Sequence, residues 1–397
     1  MMIREQCPVC GASDLMELIA LEEYPLAGNG AVKREKADEV PTGTLSVGFC
    51  RVCGALFQND PVSVEALDGM LLRQPGPLPM DVTGMETAET DRFLEGLRRY
   101  GPSGGRVLDI GCGTGCLLRR LSERGFGVAG VDAHPEAAAQ AREAGFEVVE
   151  GRFEEGMFPE ESFDLVIARS VLEHVPEPTM LLSAMADLLK PGGVVALEVP
   201  NTGRVFRRSA YGGFAFHHVN YWTTPTLRYL VTLEGLDVVG GFEESYIALF
   251  ARKAERGQAG VDPVPPGDET VEGLLEEAEA FLERKEALAE ELPRVVHDSF
   301  PGGIVVLGAG APTVDMLYYT GLDSEIVHVV SSDRTRFGAV LAGTKHEIHP
   351  MEVLEEANFD GILISSERRQ DELLDRLSAY RHGGGRVIRF HPGIEMI

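Results

Sequence analysis

Arg106-Val107-Leu108-Asp109-Ile110-Gly111-Cys112-Gly113-Thr114-Gly115 is the stretch on which the reading of this chain turns. Four apolar or basic residues and one acid make a short strand that runs straight into three alternating glycines. A helix follows from about Cys116 to Arg124. Glycines at 111, 113 and 115 leave bare backbone at the carboxyl end of a first strand, where a ligand can lie close. A dinucleotide fingerprint wants a further glycine at 116, which is Cys116 here.

Outward from that loop, Val128 to Val131 form a second strand ending in Asp132, placed to accept both hydroxyls of a ribose. Glu150-Gly151-Arg152-Phe153 comes next, then a fourth strand at Ser162-Phe163-Asp164-Leu165-Val166. Leu188-Leu189-Lys190-Pro191-Gly192-Gly193 turns into a fifth, Val194 to Val199. In this order the motifs resemble the class I S-adenosylmethionine-dependent methyltransferases, over about residues 85–253. A GxGxG loop suits that cofactor, which has no pyrophosphate and needs a tight wall more than an anion cradle. The resemblance implies cofactor contacts at Gly111, Gly113, Asp132 and the backbone near Phe153. Asp109 and Gly115, in the same strand and loop, complete the candidate cofactor set. Arg152 stands where the family often has an acid.

Four of the six cysteines form two matching pairs, Cys7-Pro8-Val9-Cys10-Gly11 and Cys50-Arg51-Val52-Cys53-Gly54. Two such knuckles supply four sulfurs, the tetrahedral set of a structural zinc. The 39 residues between them exceed what a minimal ribbon needs, so an inserted hairpin or loop is expected. Cys112 and Cys116 read as small packing residues.

The expected fold is α/β throughout: a zinc-ribbon-like domain at 1–72, a methyltransferase domain at 73–253, a linker at 254–269, and a helix plus a second Rossmann-like domain at 270–397. Residues 71–84, with Pro75, Pro77 and Pro79, read as a connector. Residues 270–292 read as one acidic helix with Leu274, Ala278, Phe281, Leu288 and Leu292 on its buried face. Ile304-Val305-Val306-Leu307 followed by Gly308-Ala309-Gly310 repeats the strand and glycine-loop pattern of 106–124. We read it as a loose duplicate that helps enclose the substrate and binds no cofactor of its own.

With Lys+Arg 36 and Asp+Glu 63, the formal charge is −27. Such a surface repels phosphate backbones and anionic membranes, which excludes an RNA methyltransferase and leaves no nucleic-acid or membrane partner expected. No apolar run reaches the roughly 20 residues of a membrane span. Met1 to Cys7 lack the apolar core of a signal peptide, so a cytoplasmic protein is expected.

The whole layout resembles the three-domain sugar C-methyltransferases, which act on nucleotide-linked keto-deoxysugars. The resemblance includes Gly308 to Thr313, Ser332-Asp333-Arg334 and Ile364-Ser365-Ser366. Such chemistry needs a base to remove a proton beside a ketone, and histidine suits neutral pH. The candidates are His174 in Val171-Leu172-Glu173-His174, and His217 and His218 in Phe214-Ala215-Phe216-His217-His218-Val219. His218 is the first choice. His217 stands where the family has glutamate, Ala215 where it has tyrosine, and the family's tyrosine motif near 65–80 is missing. Adjacent residues of an extended segment point apart, so His217 and His218 are not expected to share a site. Trp222 reads as packing. The alternatives are O- or N-methylation of another small metabolite, and a non-catalytic scaffold.

Overall fold

The structure, a computed structural model, describes residues 4–26, 30–61, 69, 84–208, 211–355, 357–367, 369–389 and 391–397. The proline-rich connector and the stretch near 65–80 lie almost wholly outside the described residues.

The N-terminal segment is built on strands β1 (Leu15–Pro25), β2 (Ala31–Val32), β3 (Thr42–Cys50) and β4 (Leu56–Gln58). β1 and β3 pair antiparallel from Leu15–Cys50 to Pro25–Thr42, forming the insertion expected between the cysteine pairs. Their inward residues Tyr24, Leu45, Val47 and Phe49 are buried.

The central domain starts with helix α1 (Gly84–Tyr100). In chain order there follow β5 (Arg106–Ile110), α2 (Cys116–Ser122), β6 (Gly127–Asp132), α3 (Pro135–Glu143), β7 (Glu147–Glu150), β8 (Phe163–Arg169), α4 (Pro178–Leu188) and β9 (Leu189–Pro200). After them come α5 (Thr202–Arg208), β10 (Asn220–Tyr221), α6 (Thr224–Leu233), β11 (Asp237–Glu243) and β12 (Tyr246–Arg252). The sheet order is β11-β12-β9-β8-β5-β6-β7, with β12 antiparallel to both neighbours. β5 and β8 are covered on both faces, which explains runs as apolar as Leu165-Val166-Ile167-Ala168. Because β5 is central and the order reverses there, the crevice at its carboxyl end is where a ligand site belongs.

Helix α7 (Asp268–Ser299) buries the predicted face, Leu274, Ala278, Phe281, Leu288 and Leu292. It runs past the expected end at 292, through Pro293, for two further turns. Pro293 donates no hydrogen bond, but Leu292 and Val296 on either side sit in the core of the last domain and hold the helix through it.

That domain contains β13 (Ile304–Leu307), α8 (Ala311–Thr320), β14 (Ile326–Val330), β15 (Val340–Leu341), β16 (Ile348–His349), β17 (Gly361–Ile364), α9 (Gln370–Arg376), α10 (Ser378–His382), β18 (Arg386–Arg389) and β19 (Glu395–Met396). Its sheet order is β16-β14-β13-β17-β18-β19, parallel except for β19. The expected duplicate is therefore present: β13, like β5, is a central strand of a parallel sheet and opens into a glycine loop.

The three segments are also sewn together by backbone pairing. β10 of the central domain extends the N-terminal sheet through β4, and β2 pairs with β15 of the last domain. A buried ion pair joins Lys285 of α7 to Asp315 of α8 at 2.7 Å. Asp315 also accepts from the Tyr24 hydroxyl at 3.4 Å and the Gly212 amide at 2.6 Å, so all three segments meet on one carboxylate.

Candidate active site

The loop after β5 has the backbone that its glycines foreshadow: Gly111, Gly113 and Gly115 take φ of +75°, +55° and +85°. A Cβ on Gly113 meets nothing within 4 Å, so that stretch of backbone faces open space. Asp132, at the end of β6, accepts from the Gly113 amide at 2.7 Å and the His134 amide at 2.8 Å, which fixes its carboxylate beside the loop. Asp109 is buried within β5, and desolvation lifts its carboxyl to about 7 against a smaller pull from the Arg169 guanidinium. Phe153 is half-buried against the central core. Cys112 packs on Gly130, where a Cβ would lie 2.6 Å from its sulfur, as its reading as a packing residue requires. An open glycine wall with a fixed carboxylate at the end of the second strand fits a ribose-bearing cofactor.

Two residues bordering this crevice were not singled out in the sequence. Arg169 and Glu198, at the ends of β8 and β9, form a buried ion pair with Nε donating to Oε1 at 2.7 Å, and the guanidinium lies 4.7 Å from the Phe93 ring of α1. A lone acid inside Val194-Val195-Ala196-Leu197-Glu198-Val199 was the available signal.

The segment after β8 touches the glycine loop directly, since a Cβ on Gly111 would lie 2.5 Å from Val171. One turn later stands His174, and it meets both histidines of the 214–222 loop. Ring centroids are 5.3 Å apart for His174 and His217, 5.0 Å for His174 and His218, and 4.3 Å for His217 and His218. The expectation that His217 and His218 point apart is thus corrected. The chain is not extended there: it turns at Phe216-His217, with the His218 amide donating to Ala215 O at 2.9 Å, and both rings fall on one side.

The N-terminal segment holds this turn. Gln58 of β4 donates through Nε2 to the carbonyls of Phe216 at 2.6 Å and His218 at 3.0 Å. The Val219 amide donates to Glu173 O at 2.7 Å. His174 Nδ1 donates to His217 O at 2.8 Å. Burial pushes the His174 imidazolium below its usual range and that of His217 down to about 3, so both rings are neutral at pH 7. Glu173 is only 2% exposed, and burial lifts its carboxyl to about 8. Trp222 is buried in the central core, as expected.

The four cysteines of the knuckles converge. Cys7 and Cys53 sulfurs are 3.7 Å apart, those of Cys10 and Cys50 are 3.6 Å apart, and all four lie within 4.8 Å. Zinc bonds of about 2.3 Å put tetrahedral sulfurs roughly 3.8 Å from one another. The two loops match in detail: the Gly11 amide donates to Cys7 O and the Gly54 amide to Cys50 O, at 3.0 and 2.8 Å. The sulfur set fits a structural zinc.

In the last domain the corresponding glycine loop is covered at Gly310. A Cβ on Gly30 would lie 2.4 Å from the Gly310 carbonyl carbon, so the N-terminal segment rests on that loop. Asp333, shortly after β14, is engaged by the Thr335 amide at 3.0 Å and Arg336 Nε at 3.1 Å. His391 is buried with Nε2 donating to Ser365 O at 3.3 Å, and His346 lies beside Asp323.

Comparison with known proteins agrees with these two unequal halves. Residues 86–240 match the family described as "Methyltransferase domain", and residues 267–392 match "C-methyltransferase C-terminal domain". The chain is 25% identical to "C-methyltransferase NovU" of Streptomyces niveus over 97% of its own length and 94% of that protein. It is 41% identical to "Ubiquinone biosynthesis O-methyltransferase" of Xanthomonas axonopodis pv. citri, over only 26% of this chain and 46% of that one. A solved S-adenosylmethionine-dependent methyltransferase from Mesorhizobium loti aligns with 40% of this chain and 96% of that one, at 18% identity and a TM-score of 0.36.

The protein is an S-adenosylmethionine-dependent methyltransferase. More narrowly, its residues 267–392 match a C-methyltransferase C-terminal domain, and it is similar to a C-methyltransferase along nearly the whole chain. No helix among the described residues is long and apolar enough to cross a membrane.

Proposed function

We propose that this enzyme methylates carbon next to a ketone on a nucleotide-linked deoxysugar, with His218 taking the proton. The observation that supports it best is the histidine cluster at the carboxyl end of β8, in contact with the segment that lines the glycine loop. The whole-chain similarity to a C-methyltransferase points the same way. The sugar is suggested by the resemblance of the three-domain layout.

Bound S-adenosylmethionine supplies a methyl group on a positively charged sulfur. The chain's own residues do the rest. Gly111, Gly113 and Gly115 form the wall, Asp132 takes the ribose, and Asp109 and the backbone near Phe153 complete the pocket. A neutral imidazole at His218 accepts a proton from the acceptor carbon, with the rings of His174 and His217 packed beside it. The four cysteines hold a structural zinc, which anchors β4 and, through Gln58, the turn that presents the histidines. A reducing, cytoplasmic setting keeps the four cysteines out of disulfides and available to zinc.

The test is to incubate a panel of nucleotide-linked 4-keto-deoxysugars with S-adenosylmethionine in deuterated water and read the masses. One added methyl, with deuterium at the adjacent carbon of unreacted sugar, is the expected result. His218→Ala should keep S-adenosylhomocysteine binding and lose turnover by about 10²–10⁴-fold. Methylation of a hydroxyl or amine with no exchange at carbon rules out this reading in favour of O- or N-methylation. A protein that binds no S-adenosylhomocysteine is the scaffold alternative.

A further inference from the structure

The histidine cluster has a property that proton transfer alone does not call for. The ligand nitrogens of His174, His217 and His218 all lie within 4.8 Å of one another. We propose that these three imidazoles form a second metal site, distinct from the four cysteines, for a zinc-class divalent cation.

His174 is already oriented as a ligand. Its Nδ1 donates to the His217 carbonyl at 2.8 Å, which leaves Nε2 bare. A backbone carbonyl on one ring nitrogen is the usual way a metal-binding histidine is held. His217 Nδ1 is buried and has no hydrogen-bond partner among the described residues. Beside the rings, Glu173 is 2% exposed, its Oε2 has no partner among the described residues, and its Oε1 lies 3.9 Å from His174 Nε2. A buried carboxyl oxygen that has no hydrogen-bond partner is costly, whether or not the group is ionised. A cation on the adjacent imidazoles offsets that cost. Zinc–nitrogen bonds of about 2.0–2.1 Å put tetrahedral nitrogens roughly 3.4 Å apart, so the rings need close by no more than about 1.4 Å. Imidazoles with a nearby carboxylate select zinc, copper or nickel over magnesium or calcium.

The consequence rests on the proposed role of His218. The lone pair that binds a metal is the one that accepts the proton, so the loaded cluster is inactive. The site is then a reversible metal brake on the enzyme, and it is created in part by the histidine at 217.

The full-length protein is reconstituted with excess Co²⁺ or Zn²⁺, freed of loose metal, and its bound metal counted. Two ions per chain are expected, falling to one in His217→Ala and, separately, in His174→Ala. The ion that remains on the four cysteines, seen by its thiolate-to-cobalt charge-transfer bands, shows that each variant is folded. The second ion adds cobalt bands without sulfur charge transfer. One ion per chain in the unaltered protein overturns the site. In the turnover assay the second equivalent of Zn²⁺ should lower the rate at least tenfold, and a mild chelator should restore it. A rate that is unchanged or raised overturns the brake. Metal counting needs no acceptor, so its failure leaves C-methylation standing. Likewise, a failed deuterium exchange leaves the metal site standing.

Discussion

The two glycine loops of this molecule start from the same plan and end in opposite conditions. Each follows a central strand of a parallel sheet and leads into a helix. The loop at 111–115 has a buried acid two residues before its first glycine, Asp109, and an open backbone at Gly113. The loop at 308–310 has Val306 at the matching place and lies under Gly30. Asp132 is fixed beside its loop with oxygen lone pairs to spare, whereas Asp333 is engaged by its own turn and Arg336. A strand–glycine-loop–helix unit thus provides a position for a ligand, and the residues around it decide whether the position is used.

The comparison can be broken most severely at the packing around the second loop. Lys285→Met strands the buried Asp315 carboxylate, and denaturant unfolding should show a loss of about 3–5 kcal/mol. Adding Asp315→Asn should recover part of it; no recovery means that the pair is not coupled.

Asp109→Asn tests the buried acid of the first loop. Its folded carboxyl titrates near 7, above the unfolded value of 3.8. The protonated form therefore stabilises the fold fully below about pH 3.8, and that stability is lost as pH rises through 7. The variant should gain little at pH 4 and a few kcal/mol at pH 8, at about 1.4 kcal/mol per pH unit. An equal effect at both pH values contradicts the assignment.

Gly30→Val should lower the melting temperature through about 2 kcal/mol of strain, because φ is +84° and the backbone of Gly310 is in the way. Unchanged stability means the second loop is not covered. The smallest effect separates the two acids: Asp132→Ala should weaken S-adenosylhomocysteine about tenfold in calorimetry, and Asp333→Ala should leave both affinity and a stoichiometry of one unchanged. A matching loss at Asp333 would make the second loop a cofactor site.

Much of this was legible along the chain. The periodicity of α7, the two parallel sheets, the cysteine knuckles and the first glycine loop are local patterns, and local patterns are what a sequence displays. Pro293 shows the limit: the helix passes through it because Leu292 and Val296 are held by a core that no local signal reports. Gln58 was overlooked because its partners are 158 or more residues away, and Glu173 because its Oε2 has no hydrogen-bond partner among the described residues to betray it.

By itself the sequence determined that this is a methyltransferase-type α/β chain with a four-cysteine knuckle and a second, imitative glycine loop. Those traits depend on spacing within a few residues. Only the tertiary structure decided that His174, His217 and His218 meet, that the N-terminal segment both holds their turn and covers the second loop, and that three segments converge on Asp315. Each is a contact between residues far apart in the chain, and a turn at 216–217 was enough to bring both histidines onto one face.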